Sequence, residues 1–343
     1  MLLVSGDVAR RTGGNLYDRR MERGCRRGGV RLRIVSVTST EQARAELLRR
    51  RPRVIVIDSV AITIAAPLVG WIRRELGARV VVLMHMPTRA RGTRELLREA
   101  DHVVAVSSDL ARTLAQQGAA RSRLSVIAPG CDGIPRLARR AQKRDERLLR
   151  VLAVANWSAA KGIATLVAAA AQVPEVHLDL VGDVGKGPYR DGIRALIRSR
   201  GLGDRIVVRG ALDERALARR YAEADVFALP TEREGYGIVF GEAVAHGLPV
   251  IAADIPPVRA IVGEAGLFVP PRQVRSLAAA LRLMTDVWLR GRLARNARAR
   301  ARVLPRWAAS QAAFVTLITY EIRAAVPGRD RTVSTAVGSI RVQ

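Results

Sequence analysis

The chain has 343 residues, 49% of them hydrophobic, and its 58 Lys and Arg side chains outnumber 31 Asp and Glu to leave a net charge of +27. That length points to two domains, because a single core stops growing near ~250 residues, and the apolar content excludes a disordered, solvating chain. The charge calls for an anionic partner, but not for a nucleic-acid groove: residues 1–133 hold 24 basic and 12 acidic side chains, 134–150 seven and two, and the remainder 27 and 17, with only 4% aromatics. A nucleic-acid binder concentrates its charge and interleaves it with aromatic rings.

In chain order, Met1–Ser5 is apolar for only five residues before Asp7, Arg10 and Arg11. That is too short for the core of a signal peptide, and a cytoplasmic protein is expected. β-Branched runs then alternate with helical periodicity. Strands are predicted at Leu2–Ser5, Leu32–Val37, Val54–Asp58, Val80–Met84, His102–Val106 and Leu124–Ile127. A second series is predicted at Leu149–Ala155, Val176–Val181, Ile206–Arg209, Val226–Ala228 and Pro249–Ala252. Between the first two strands, Tyr17, Met21 and Cys25 recur at helical spacing, with Arg19, Arg20, Arg23, Arg26 and Arg27 on the other face. The apolar run Val54–Ile72 carries one charge, Asp58, and one proline, Pro67; a buried strand followed by a buried helix suits it better than a membrane span. Alternation of strand and helix implies α/β domains with parallel sheets covered on both faces. The expected division is a first domain at 1–133, a basic linker at 134–150, a second domain with C-terminal helices at 151–325, and a mobile polar tail at 326–343.

Chemistry concentrates in one segment, Ala228-Leu-Pro-Thr-Glu-Arg-Glu234-Gly-Tyr-Gly-Ile-Val-Phe-Gly-Glu242, followed by His246-Gly-Leu-Pro. A strand ends, a polar loop carries Glu234, and Gly235, Tyr236 and Gly237 lead into a helix that begins with Ile238 and Val239. Glycines let backbone approach a ligand closely, and a helix start presents unpaired N–H groups and a positive dipole end to phosphate. Glu242, further along the helix, has two oxygens for a ribose diol. Two cysteines and four scattered histidines show no metal-ligand spacing, and no metal is expected.

This segment resembles the donor-binding motif of the family 4 retaining glycosyltransferases, which have the GT-B architecture of two facing Rossmann-like domains with an interdomain cleft. The resemblance extends along the chain: Thr12-Gly13-Gly14-Asn15 is similar to the family's glycine loop, Lys161-Gly162 to its lysine–glycine pair, Val181-Gly182-Asp183 to its strand-end turn and Val208-Arg209-Gly210 to its base-side strand. It implies that Glu234 contacts the donor sugar, Glu242 the ribose, and Lys161 the diphosphate, whose charge grows as it departs. Backbone N–H groups at Gly13 and Gly14 would assist. His85, after the strand Val80–Met84, resembles the family's cleft histidine, which helps position the donor sugar. One departure stands out: where the family has a glycine–arginine pair a few residues before the lysine, this chain has Ala155-Asn156-Trp157, and Asn156 is uncharged.

The implied function is metal-independent hexosyl transfer from a nucleotide-diphosphate sugar, with no further cofactor, to a glycan, lipid-linked or small-molecule acceptor. Arg-rich helical stretches, including Trp288–Leu304, suit peripheral attachment to an anionic membrane surface. Two alternatives stay open: a degenerate protein that binds nucleotide or polyanion without turnover, and a nucleotide-sugar epimerase.

Overall fold

The computed structural model describes residues 1–137 and 147–326. They form two compact units, Met1–Pro129 with the segment from Pro305 onward, and Gly130–Leu304.

The first unit is built on a six-stranded parallel sheet: β1 (Leu2–Val4), β2 (Ile34–Ser36), β3 (Val54–Asp58), β4 (Arg79–Met84), β5 (His102–Ala105) and β6 (Leu124–Val126), in the order β2-β1-β3-β4-β5-β6. Every residue of β3 is buried, as a strand covered by helices on both faces must be. The second unit repeats the plan with β7 (Leu149–Val154), β8 (Val176–Val181), β9 (Ile206–Gly210), β10 (Val226–Leu229), β11 (Val250–Ala253) and β12 (Gly266–Val269), ordered β12-β11-β10-β7-β8-β9 and again all parallel. In each sheet the winding reverses once, between β1 and β3 in the first and between β7 and β10 in the second. The crevice beyond the carboxyl ends of such a pair is where doubly wound sheets bind ligands.

All eleven predicted strands are present, with ends shifted by two residues or fewer. The twelfth, β12, opens on Gly266, whose place beside the Val250 carbonyl leaves 2.6 Å for a Cβ; a glycine demanded by close packing hides the strand from a propensity reading. The run after β3 is not one helix. It breaks into short turns, Ser59–Ala61, Ile62–Ala65, Ala66–Leu68, Val69–Trp71 and Ile72–Leu76, because Pro67 lacks the N–H that a continuous helix needs. Among the described residues no helix is long and apolar enough to cross a membrane.

The expected domain boundaries need two corrections. Residues 130–133 belong to the second unit: Cys131 is buried in its core, 3.0 Å from where a Cβ on Gly241 would lie. The last helix, Trp307–Ala324, belongs to the first unit, not to 151–325. It lies along the helix Gly13–Arg27 so closely that Cβ atoms on Gly24 and Gly28 would come within 2.7 Å of Gln311 and Val315. Gln311 Nε2 donates to the Arg20 carbonyl at 2.7 Å, Ser310 Oγ to Ala128 O at 2.6 Å, and Arg79 Nε to Glu321 Oε2 at 2.8 Å. Its buried stripe of Trp307, Phe314, Leu317 and Ile318 faces that helix and the central strands β3 and β4. Residues 138–146 of the expected linker, and 327–343 of the expected tail, lie outside the described residues.

Candidate active site

In the second unit, the loop after β7 runs through Ala155–Ser158 into a 3₁₀ turn, Ala159–Lys161, and then Gly162 at φ +69° starts the helix Ile163–Ala170. Gly162 is required twice over, by its left-handed backbone and because a Cβ would lie 2.4 Å from the Pro230 carbonyl oxygen. The loop after β10 is stitched to this turn. Glu232 N donates to the Ala160 carbonyl at 2.8 Å and Thr231 Oγ1 to the same oxygen at 3.2 Å. The two loops at the switch point are therefore tied to each other, and they bring Lys161 Nζ to donate to Glu234 Oε1 at 2.6 Å. Both side chains are mostly shielded from solvent, Glu234 the more so.

Gly237, at φ +104°, starts the helix Ile238–Ala245 with no side chain capping it, so the first-turn N–H groups at Ile238 and Val239 have no side-chain acceptor. A Cβ there would also strike the Phe240 ring at 2.8 Å. Gly235 is buried in the loop, and burial pushes the neighbouring Tyr236 phenol above its ordinary range. Glu242 lies well inside the helix and is itself buried, with Oε2 accepting from Tyr221 Oη at 2.9 Å. Burial, with the charge and hydrogen bond of Glu242, holds the Tyr221 phenol well above its usual value, so it remains a neutral donor. Tyr221 is braced in turn by His246, stacked at 4.6 Å.

Asn156 sits on the β7 side of the same crevice. Its Oδ1 accepts from Asp183 N at 3.1 Å while Trp157 N donates to Asp183 O at 2.8 Å, which ties the end of β7 to the end of β8. Gly182 at φ +133° allows this: a Cβ would be 2.0 Å from the Ala155 oxygen. Gly182 N donates to the carbonyl of Gly210, the last residue of β9, at 2.8 Å.

A second cluster occupies the switch point of the first sheet. Gly13 and Gly14 are not a free loop but the first residues of the helix Gly13–Arg27, capped by Thr12 Oγ1 accepting from Asn15 N at 3.0 Å. Gly14 makes room for the His85 ring, whose Cδ2 would be 3.2 Å from a Cβ there. His85 Nε2 lies 3.1 Å from Asp18 Oδ1 and 3.2 Å from Asp58 Oδ2. Asp58, at the end of β3, accepts at Oδ1 from Ser59 Oγ and Val60 N, each at 2.9 Å.

Burial works against charge on this histidine, but Asp58 and Asp18 outweigh it and carry the ring up to about 10. Burial lifts the Asp18 carboxyl to about 6, despite the counter-pull of His85, and Asp58 adds to the rise. Burial would raise Asp58 too, yet the charge and hydrogen bond of His85 hold it below its ordinary value. Among the described residues these three are also the one His–carboxylate trio gathered within 4.8 Å; the two carboxylates already share a single ring nitrogen, which accounts for the spacing without a cation.

Sequence reasoning does not single out Asp18 and Asp58 as site residues, yet each leaves a signal there. Asp58 is the single charge in the run Val54–Ile72, and Asp18 interrupts the buried face set by Tyr17 and Met21.

Residues 8–132 match the model of Glycosyltransferase Family 4, and residues 136–300 that of the group 1 glycosyl transferases. The chain belongs to the family 4 glycosyltransferases. It is 33% identical over 169 residues to the alpha-D-kanosaminyltransferase of Streptomyces kanamyceticus, covering 47% of this chain and 44% of that one. It is 32% identical over 233 residues to the D-inositol 3-phosphate glycosyltransferase of Xylanimonas cellulosilytica, covering 62% and 56%. The chain thus spans about half the length of these curated relatives. Among solved structures, the sucrose-phosphate synthase of Thermosynechococcus elongatus superposes with a TM-score of 0.80 at 21% identity, over 94% of this chain and 99% of that one. Anabaena HepE, in complex with UDP and glucose, superposes with a TM-score of 0.75 at 18% identity, over 93% and 99%. The fold of this family 4 member is accordingly GT-B, built from two Rossmann-like units.

Proposed function

We propose that the protein transfers a hexosyl group from a nucleotide-diphosphate sugar to a hydroxyl-bearing acceptor, with retention at the anomeric carbon and without a metal ion. The observation that carries this reading is the 2.6 Å pair of Lys161 and Glu234 at the switch point of the second sheet, beside a helix start that no side chain caps. Lys161 has three N–H donors and Glu234 engages one, so the ammonium can hold Glu234 and still face a phosphate. Glu234, an acceptor at both oxygens, suits the hydroxyls of the sugar. In the proposed step the bond from the anomeric carbon to the diphosphate breaks and the electron pair leaves with the phosphate oxygen. The acceptor oxygen bonds to the same face of that carbon, and its proton passes to the departing phosphate. Lys161 and the N–H groups at Ile238 and Val239 stabilise the charge that develops there. Glu242, with Tyr221 fixing one of its oxygens, is assigned to the ribose. Gly210 and Asn156 are assigned to the base and phosphate side.

A thermal-shift panel of UDP-, GDP-, ADP- and TDP-sugars, followed by turnover with the donor that binds, tests the reading. Lys161→Met should lower kcat by on the order of 10²–10³-fold, Glu234→Ala should abolish transfer, and a chelator should leave the rate unchanged. Salt-steep binding of nucleic acid with no turnover of any nucleotide sugar would favour the degenerate binder, and interconversion of donor without an acceptor the epimerase.

Peripheral attachment to an anionic membrane is part of the proposal. Trp288 is 88% exposed and Leu283 and Val287 are exposed too, and the helix Val287–Ala301, which Val287 and Trp288 open, carries five arginines and no acid. Flotation with anionic vesicles, lost in Trp288→Ala or at high salt, is the expected result; equal flotation with neutral vesicles would exclude it.

A further inference from the structure

The Asp18–His85–Asp58 cluster has an arrangement that packing alone does not require. Two carboxylates converge on one nitrogen, at 3.1 and 3.2 Å. A bare lone pair there would face two anionic oxygens, so Nε2 must carry a proton. The ring's other polar atom, Nδ1, has no hydrogen-bond partner among the described residues. Ser59 Oγ and Val60 N bind the far oxygen of Asp58 and keep that carboxylate aimed at the ring, and Ser59 Oγ also accepts from His85 N at 3.4 Å. Asp18 is 2% exposed, and its Oδ2 is buried without a hydrogen-bond partner. Among the described residues the one other titratable group against the ring is Tyr17, in edge contact at 5.3 Å, and burial holds its phenol well above the usual range, so it stays neutral.

We propose that Asp18 and Asp58 are positioning residues that hold His85 as an imidazolium, with Nε2–H bound internally and Nδ1–H offered as a charge-assisted donor to a substrate oxygen at the carboxyl ends of β1, β3 and β4. The ligand chemistry this fits is a hydroxyl or phosphate oxygen, an acceptor of hydrogen bonds, rather than a group that must give up a proton: a charged imidazole cannot serve as a base. His85 is therefore an electrostatic contact, and its two carboxylates set its charge and its orientation. The pull upward on its titration is what two adjacent carboxylates produce when they outweigh burial. This rests on the glycosyl-transfer reading for the nature of the substrate, but not for the state of the ring.

Imidazole ¹⁵N–¹H NMR of the full chain, with His85 identified by its loss in His85→Gln, tests the ring directly. The expected result is a doubly protonated His85 that persists well past neutrality, with a midpoint near 10. Asp58→Asn should lower that midpoint by ~1–3 pH units, and Asp18→Asn should move it in the same direction. A wild-type midpoint at the ordinary 6.5 overturns the proposal without need of any variant. So does a midpoint that neither substitution moves. With the donor chosen by the nucleotide-sugar panel, Asp58→Asn should lower kcat more than it raises KM and shift the alkaline limb of the pH–rate profile toward neutrality by the same interval. An unchanged limb overturns the positioning role, whereas absence of turnover with every nucleotide sugar overturns the transfer reading and leaves the titration result to decide the state of His85.

Discussion

Replacing Gly162 by alanine perturbs the joint between the lysine loop and the loop that carries Glu234. Two costs arise. An L-residue in the left-handed region, here φ +69°, loses about 1–2 kcal/mol. The new methyl would also stand 2.4 Å from the Pro230 carbonyl oxygen and 3.0 Å from its carbon. Both are backbone atoms that cannot rotate aside, and relieving an overpacked contact of this kind costs about 1–3 kcal/mol more. The sum, ~2–5 kcal/mol, is a large share of a total stability of ~5–15 kcal/mol. Gly201 is the control. It has nearly the same backbone, φ +60°, but nothing within 4 Å of a Cβ, so Gly201→Ala should show the conformational cost alone. Urea titration of both variants isolates the contact: the midpoint should fall clearly further for Gly162→Ala, at an unchanged slope. Any relief must displace Pro230 and the residues after it, so the Lys161–Glu234 bond should lengthen and donor turnover should drop, while Gly201→Ala turns over normally. If Gly162→Ala melts with Gly201→Ala and keeps wild-type turnover, the two loops are not joined as described.

Two further outcomes are expected. His85 has a folded value raised from 6.5 to about 10, so its contribution to stability is complete below 6.5 and is lost as pH rises through about 10; urea midpoints measured across that window should fall, and the fall should be absent in His85→Gln. Phe314 is fully buried in the helix Trp307–Ala324, and Phe314→Ala should cost ~3–5 kcal/mol. Hydrogen exchange should show that loss in β3 and β4, against which this helix packs, and not in β7 or β10.

Much of this molecule is legible in its amino-acid sequence. Parallel strands buried on both faces are near-continuous apolar runs, so Val54–Asp58, Val80–Met84 and Val226–Leu229 announce themselves by composition. The loop from Glu234 to Gly237 is legible for a different reason: a left-handed residue and a close backbone approach both demand glycine, and that demand is written in the chain itself. The same logic marks Lys161-Gly162. These are local constraints, satisfied within a few residues of where they are read.

What only the tertiary structure decided depends on groups far apart in the chain. An amphipathic helix declares a buried stripe but not its partner, so sequence proximity alone places Trp307–Ala324 with the wrong unit; the glycines at 24 and 28, which look like helix weaknesses, prove to be the seat into which it packs. Asp18, Asp58 and His85 come from a helix and two strand ends up to 67 residues apart. Each alone reads as an oddity: an acid on an apolar face, an acid in an apolar run, a lone histidine after a strand. The sheet order places β3 between β1 and β4, and that adjacency turns three local exceptions into one charged group. Composition and spacing thus determined the class of fold and the lysine–glutamate loop, because backbone conformation and burial are set residue by residue; the protonation state of the histidine was decided by tertiary structure, because electrostatic coupling depends on distance in space and not along the chain.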